Sequence, residues 1–183
     1  MQRSLVDRAK GGDVEAFDAL ARLVGDGCMA IAFRILRDAD QADDAVQAAL
    51  IAAWRDIRTL RDPDRFEPWL HRILINKCYA EARQRRRHSA NVRVLDAHGR
   101  EAAEIVSIHD RDQLERGFRR LTLEQRTVLV FHHYLGMTHE QVADRLGIPL
   151  GTVKSRIYHA TAALRASLEA DARAAVAAGE RLA

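Results

Sequence analysis

Residues 138–165 read THEQVADRLGIPLGTVKSRIYHATAALR, and this stretch decides the fold. Thr138 can N-cap a helix, with Gln141 three residues on completing a capping box. Val142, Ala143 and Leu146 make an apolar stripe at helical spacing. Gly147 suits the left-handed residue that ends a helix, and Pro149 fits the first turn of the next. In that second helix Val153, Ile157, Ala160 and Leu164 recur every three or four residues and face inward. Thr152, Lys154, Ser155, Arg156, Tyr158 and His159 are left facing outward. Two short helices joined steeply, the second with hydrogen-bonding and cationic groups outside, form the layout of a DNA-reading helix-turn-helix. The competing reading is an ordinary helical hairpin.

Working outward, the 183 residues are 48% hydrophobic, with three prolines and only 5% aromatics. Abundant alanine and arginine favour helices over sheets, and no long alternating β-branched run interrupts them, so the expected class is all-α. The net charge of +3 conceals a segregation. From Asp38 to Glu67 eight acids face four arginines, whereas Trp69 to His88 holds six bases and one acid. An acidic face followed by a basic stripe suggests two different partners, the basic one suited to a phosphate backbone. Cys28 and Cys78 have no metal-ligand companions nearby, and Cys28 falls on an apolar stripe, which predicts a buried, reduced thiol. No apolar run reaches transmembrane length and no signal-peptide core opens the chain. These features predict a cytoplasmic protein with no membrane insertion.

Along the chain, Asp13 can cap a long helix whose Phe17, Leu20, Val24, Cys28, Ile31 and Ile35 are core. A second helix is expected from about Gln41 to Ile57, burying Ala42, Ala45, Val46, Ala49, Leu50, Ala53 and Trp54. Residues 59–65, with Pro63 inside, read as a loop. A third helix over about 67–84 buries Trp69, Leu70, Ile73 and Leu74 and runs into Arg85, Arg86 and Arg87. Residues 88–110 have weak periodicity and mixed charge, and read as a flexible linker. Leu114, Phe118 and Leu121 then mark a helix, and Thr122 with Gln125 caps another ending near Gly136. The expectation is two small helical domains, 1–87 and 111–168, joined by the 88–110 linker. An alanine-rich tail, 169–183, either continues the recognition helix or frays.

Three blocks in order resemble the extracytoplasmic-function sigma factors, the short two-domain class of bacterial RNA polymerase specificity subunits in the sigma-70 superfamily. They are Ala42-Asp43-Asp44-Ala45-Val46-Gln47 running on to Trp54, Phe66-Glu67-Pro68-Trp69-Leu70-His71-Arg72-Ile73-Leu74-Ile75-Asn76, and Gly151-Thr152-Val153-Lys154-Ser155-Arg156. The resemblance spans about residues 10 to 168. It implies a sigma domain 2 that binds core RNA polymerase and the −10 element, and a sigma domain 4 that binds the −35 element. The first block implies docking on the clamp coiled coil of the β′ subunit through Asp43, Asp44 and Gln47. The second implies −10 contacts by Arg72, Asn76, Lys77 and Arg83, with residues 59–66 capturing a flipped base of the non-template strand. After Asn76 the chain departs from the family's small aliphatic residues and aspartate, carrying Lys77-Cys78-Tyr79-Ala80-Glu81 instead.

The third block implies −35 contacts by Thr152, Lys154, Ser155, Arg156, Tyr158 and His159. Lys154 is placed to reach guanine acceptors in a major groove and Tyr158 a thymine methyl. Thr152 and the Gly151 backbone lie at a helix N-terminus, which suits phosphate. Many relatives carry arginine where this chain has His159. Arg156 either meets DNA or turns toward the first helix, and His132 either reaches DNA or is simply exposed. The resemblance further implies a β-flap contact and an anti-sigma partner. The rival reading is a stand-alone helix-turn-helix regulator that binds operator DNA as a dimer. An enzyme is not expected: there is no glycine-rich phosphate loop, no metal-spaced cluster and no nucleophile with a positioned base. No cofactor and no metal are expected, and His132, His133 and His139 are too loosely spaced for zinc.

Overall fold

The computed structural model describes the backbone of residues 2–91 and 108–180, with side chains at 2–85, 87 and 114–173. The described residues are helical with no strand, as the composition predicts. The chain divides into two compact units, Met1–Ala97 and His98–Ala183. Most of the 88–110 linker expectation, residues 92–107, lies outside the described residues, while 88–91 and 108–110 are helical.

The N-terminal unit packs four helices: α1 (Gln2–Lys10), α2 (Val14–Leu36), α3 (Ala39–Asp56) and α4 (Phe66–Asn91). Asp13 caps α2 by accepting from the Ala16 amide at 3.0 Å, as its position predicts. The helix ends at Arg37, a left-handed residue with φ 60° whose N–H donates to the Phe33 carbonyl. Such a conformation costs a non-glycine residue, and here the Arg37 guanidinium lies 4.9 Å from the Phe33 ring, returning some of that cost. Asp38 caps α3 through the Gln41 amide at 3.0 Å. Leu20, Ile31 and Ile35 of α2 and Leu70 and Leu74 of α4 are almost wholly buried, each contributing about 1.5–3 kcal/mol by leaving water. Leu50, Trp54, Trp69 and Ile73, expected in the core, are only half-buried. The α3 seam against its neighbours is built, as expected, from Ala42, Ala45, Val46, Ala49 and Ala53, small side chains that let helices approach closely.

Residues 57–65 are not an open loop. Ile57–Thr59 and Pro63–Arg65 are short 3-10 turns, the second capped by Asp62, which accepts from the Asp64 amide at 3.0 Å. Pro63 sits in the first position of that turn, where its missing N–H costs nothing.

The C-terminal unit contains α5 (Ile108–Arg120), α6 (Leu123–Leu129), α7 (His139–Leu146) and α8 (Leu150–Glu180). Helix α6 is prolonged by a π-helical turn over Val130–Tyr134. The expected capping boxes exist at both Thr122 with Gln125 and Thr138 with Gln141. Gly147 is left-handed as expected, φ 65°, and its N–H donates to Ala143. Pro149 falls one residue earlier than predicted. It precedes α8, and its carbonyl accepts from the Thr152 and Val153 amides. The tail question resolves toward continuity, since α8 passes through the recognition segment to Glu180 without a break. Asp171 holds it to α5, accepting from Arg116 Nε at 3.2 Å and Arg120 Nη2 at 2.9 Å, while Arg120 Nη1 donates to the buried Ser167 hydroxyl. Those two arginines hold the Asp171 carboxyl below its usual range. Gly117 allows this approach, because a Cβ there would lie 2.7 Å from the Leu164 side chain. Leu114, expected as a core marker, is 44% exposed.

Candidate functional site

On α3, Asp43, Asp44 and Gln47 are all exposed, while Ala42, Ala45, Val46 and Ala49 seal the opposite side. The 100° step of an α-helix separates these groups cleanly and leaves two carboxylates and an amide pointing to solvent. Ile51, one and two turns beyond Gln47 and Asp44 on the same side, is 56% exposed. It adds an apolar element that the charge pattern does not signal.

On α4, Arg72, Asn76 and Arg83 are exposed and fall within about 40° of one another around the helix. Arg83 Nε donates to the Tyr79 carbonyl one turn earlier at 3.2 Å. Lys77 does not join them. It lies about 140° from Arg72 and about 20° from the buried Leu70, and it is half-buried. Arg85, part of the same basic run, donates to the Asp38 carboxylate. Burial works against the Asp38 charge, but the Gln41 hydrogen bonds and Arg85 outweigh it and hold the carboxyl below its usual range. This pair joins the N-cap of α3 to the basic end of α4, a tie between residues 47 apart that no local pattern reveals. Cys28 and Cys78 are both buried. Burial pushes their thiols up to about 11 and about 12, which keeps them protonated.

On α8, the buried Val153, Ile157 and Ala160 aim the other side of the first three turns outward. Lys154, Ser155 and Tyr158 are exposed on that outer side, Tyr158 by 72%. Ser155 Oγ donates back to the Thr152 carbonyl at 3.1 Å. Thr152 and Arg156 are half-buried and sit toward one flank, about 100° and 60° from the buried Val153. His159 is exposed, with its ring 5.4 Å from that of Tyr158.

His132 is half-buried on the π-helical turn, its Nδ1 2.7 Å from the Met137 carbonyl. Since a carbonyl only accepts, Nδ1 carries a proton there. The His133 ring meets the His132 ring edge-on and the His139 ring meets it tilted, each at 4.7 Å, so three histidines distant in sequence by up to seven positions form one cluster. Partial burial, reinforced by His132, lowers the pKa of His133. Among the described residues no group of three or more His, Cys, Asp or Glu is arranged to hold a metal ion. Glu140, in the first turn of α7, has its carboxyl held below its usual range by its own backbone N–H and the Thr138 side chain, with His139 and Lys154 adding attraction. An acid at the N-terminus of α7 thus lies within reach of the Lys154 charge, a placement that only the helix-turn-helix geometry produces. Among the described residues no helix is long and apolar enough to cross a membrane.

Two family models match the two units separately: Sigma-70 region 2 over residues 17–88 and Sigma-70, region 4 over residues 111–164. The chain is 32% identical over 180 residues to the RNA polymerase sigma-H factor of Pseudomonas aeruginosa, spanning 91% of this chain and 93% of that protein. It is 30% identical to the ECF RNA polymerase sigma-E factor of Escherichia coli K12, over 87% of this chain and 90% of that protein. Among solved structures it resembles the sigma factor RpoE of Bartonella quintana, in complex with the anti-sigma factor NepR, with TM-score 0.71 and 27% identity over 86% of this chain and 99% of that one. It also resembles CnrH in complex with the cytosolic domain of CnrY, with TM-score 0.64 and 29% identity over 93% and 98% of the two chains. Two region models in order, each on its own helical unit, and relatives matched along nearly their whole length leave one conclusion: the chain belongs to the sigma-70 family, as an extracytoplasmic-function RNA polymerase sigma factor.

Proposed function

We propose that this promoter-specificity subunit divides its work between three faces of its two units. Residues 1–87 act as sigma domain 2 and residues 111–168 as sigma domain 4, with 88–110 as linker and 169–183 as tail. The outer side of α3, through Asp43, Asp44 and Gln47, docks on the β′ clamp coiled coil of core RNA polymerase. Arg72, Asn76 and Arg83 of α4 track the −10 strand, with Lys77 reaching its edge. The turns at 59–66 hold the base that leaves the stack.

In the C-terminal unit Lys154, Ser155 and Tyr158 enter the major groove at −35, with Thr152, Arg156, His159 and His132 on the flanking phosphates. The same unit touches the β flap. The protein works in the cytoplasm, without catalysis of its own, and is restrained by an anti-sigma partner. This reading rests on the exposed carboxylate face of α3, sealed behind by alanines. A stand-alone operator-binding regulator has no use for such a face.

The test is promoter binding by the purified chain with and without core polymerase. Specific, salt-resistant binding is expected only with core enzyme present. Tight sequence-specific binding by the free chain, as a dimer, overturns the proposal in favour of a self-sufficient regulator.

A further inference from the structure

Helix α1 lies outside the region 2 match, which starts at residue 17, and it packs against both 3-10 turns of the segment 57–65. Val6 and Ala9 are buried on its inner side. Three polar ties run from it to residues more than 49 positions away. Lys10 Nζ donates to the Leu60 carbonyl at 2.7 Å in a partly buried setting. Arg3 donates to the Asp64 carboxylate at 2.6 Å, and Gln2 Nε2 to Glu67 at 3.1 Å.

Such ties have a purpose that packing alone does not supply. Between the two short turns the backbone has few hydrogen bonds of its own, and a pocket that discriminates one base from another must hold its walls to within about 0.5 Å. Ile57, Leu60 and Phe66 anchor the inner side of the segment, at 1%, 5% and 1% exposure. With these three sealed inside, the height of the outward side chains depends on where the backbone sits. Lys10 grips the carbonyl of Leu60, which lies between the two turns. A hydrogen bond from an ammonium is shorter and stronger than a neutral one, and partial burial keeps water from replacing it. The Arg3–Asp64 pair is exposed on both sides, 63% and 60%, so it contributes less.

We infer that α1 positions the base-reading segment. Lys10, through the Leu60 carbonyl, and to a lesser degree Arg3, through Asp64, set the selectivity for the unpaired −10 base from outside the residues that touch it. Lys10 is a positioning residue. The inference rests on the reading of residues 59–66 as the base-capturing segment.

The test uses the full chain with core polymerase on four promoter fragments, pre-opened across the −10 element and differing only in the unpaired base. Lys10→Met keeps the aliphatic stem and removes the donor. It should shrink the ratio between best and worst base by roughly tenfold, with core polymerase affinity and dependence on the −35 sequence unchanged. Lys10→Arg, which restores a cationic donor, should recover most of the ratio, a rescue that a merely structural role for the stem does not predict. Arg3→Ala should change it by only about twofold. An unchanged ratio in Lys10→Met overturns the inference. Arg61→Ala and Arg65→Ala, both exposed and within the segment itself, separate the two failures. If they alter base preference while Lys10→Met does not, α1 is not a positioning device. If they also leave it unchanged, the segment does not read the base, and the underlying proposal falls with the inference.

Discussion

The two units reach the same end, an exposed face backed by a sealed one, by different physical means. In the N-terminal unit the working helices are long: α2 has 23 residues, α3 has 18 and α4 has 26. Side-chain burial along their length fixes them, and the ends matter less. In the C-terminal unit α6 has 7 residues and α7 has 8. Helices that short are marginal in water, because the unsatisfied end groups are a large share of the whole. Both carry a full capping box, and α7 also closes on a left-handed glycine. The long helices of the first unit are held by their stripes and the short α6 and α7 of the second by their termini, so substitutions should hurt the two in different places.

The sharpest way to break this comparison is to strike each functional face and ask whether the defects separate. Asp44→Arg leaves the alanine seam of α3 intact and places a like charge where a carboxylate is expected to meet a basic surface. Core polymerase binding should fall on the order of a hundredfold in a competition assay, with −35 duplex contacts unaffected. Lys154→Ala should leave core binding intact and lose about 1–3 kcal/mol of discrimination at one base pair of the −35 element, measured across a set of single-position promoter variants. If both substitutions fail at the same step, the division of labour is wrong.

Next in size is the cap. Thr138→Ala removes the acceptor for the Gln141 amide and should cost about 1 kcal/mol in thermal or denaturant unfolding. Because α7 carries the turn that aims α8, −35 binding should weaken as well. Equivalent loss of the Asp13 cap on the 23-residue α2 should register in stability alone. Equal effects on DNA binding from both would erase the distinction drawn between long and short helices.

The smallest effect is a slope. His133 has a lowered pKa in the folded chain, from burial and from His132, so the unfolded chain binds more protons as pH falls through about 6.5. Stability contributed by neutral His133 is present above that value and declines below it, until the folded-state pKa is passed. Exposure to solvent keeps the slope shallow. His133→Gln should flatten the melting-temperature profile between pH 7.5 and 5, and an unaltered profile would remove His133 from the account.

Much of this was legible in the sequence, for reasons that identify what was not. The outward placement of Asp43, Asp44 and Gln47 follows from the alanines and valine that alternate with them, because periodicity over 18 residues leaves little freedom. Thr138, Gln141 and Gly147 are legible because caps are local chemistry. Lys77 shows the limit: adjacent to Asn76 in sequence, it stands about 100° away around the helix, so a basic run does not make a basic stripe. Helix α1 has only Leu5, Val6 and Ala9 as apolar signal within nine residues. It packs chiefly on α2, and its further partners at residues 57–67 are invisible to any local pattern. The π-helical turn at Val130–Tyr134 escapes a reading that assumes 3.6 residues throughout. His132, on this turn, lies beside His139.

Helix α8 is a single shaft of 31 residues, about 46 Å at 1.5 Å per residue. Its first turns carry the exposed Lys154, Ser155 and Tyr158, and Asp171, some five turns further on, is clasped by two arginines of α5. A helix is stiff in torsion, so a twist imposed at one end arrives at the other. The clasp therefore works as a set screw, fixing the angle at which the unit presents Lys154 and Tyr158; under the proposed −35 role, loosening it should retune the reader without touching a single base contact.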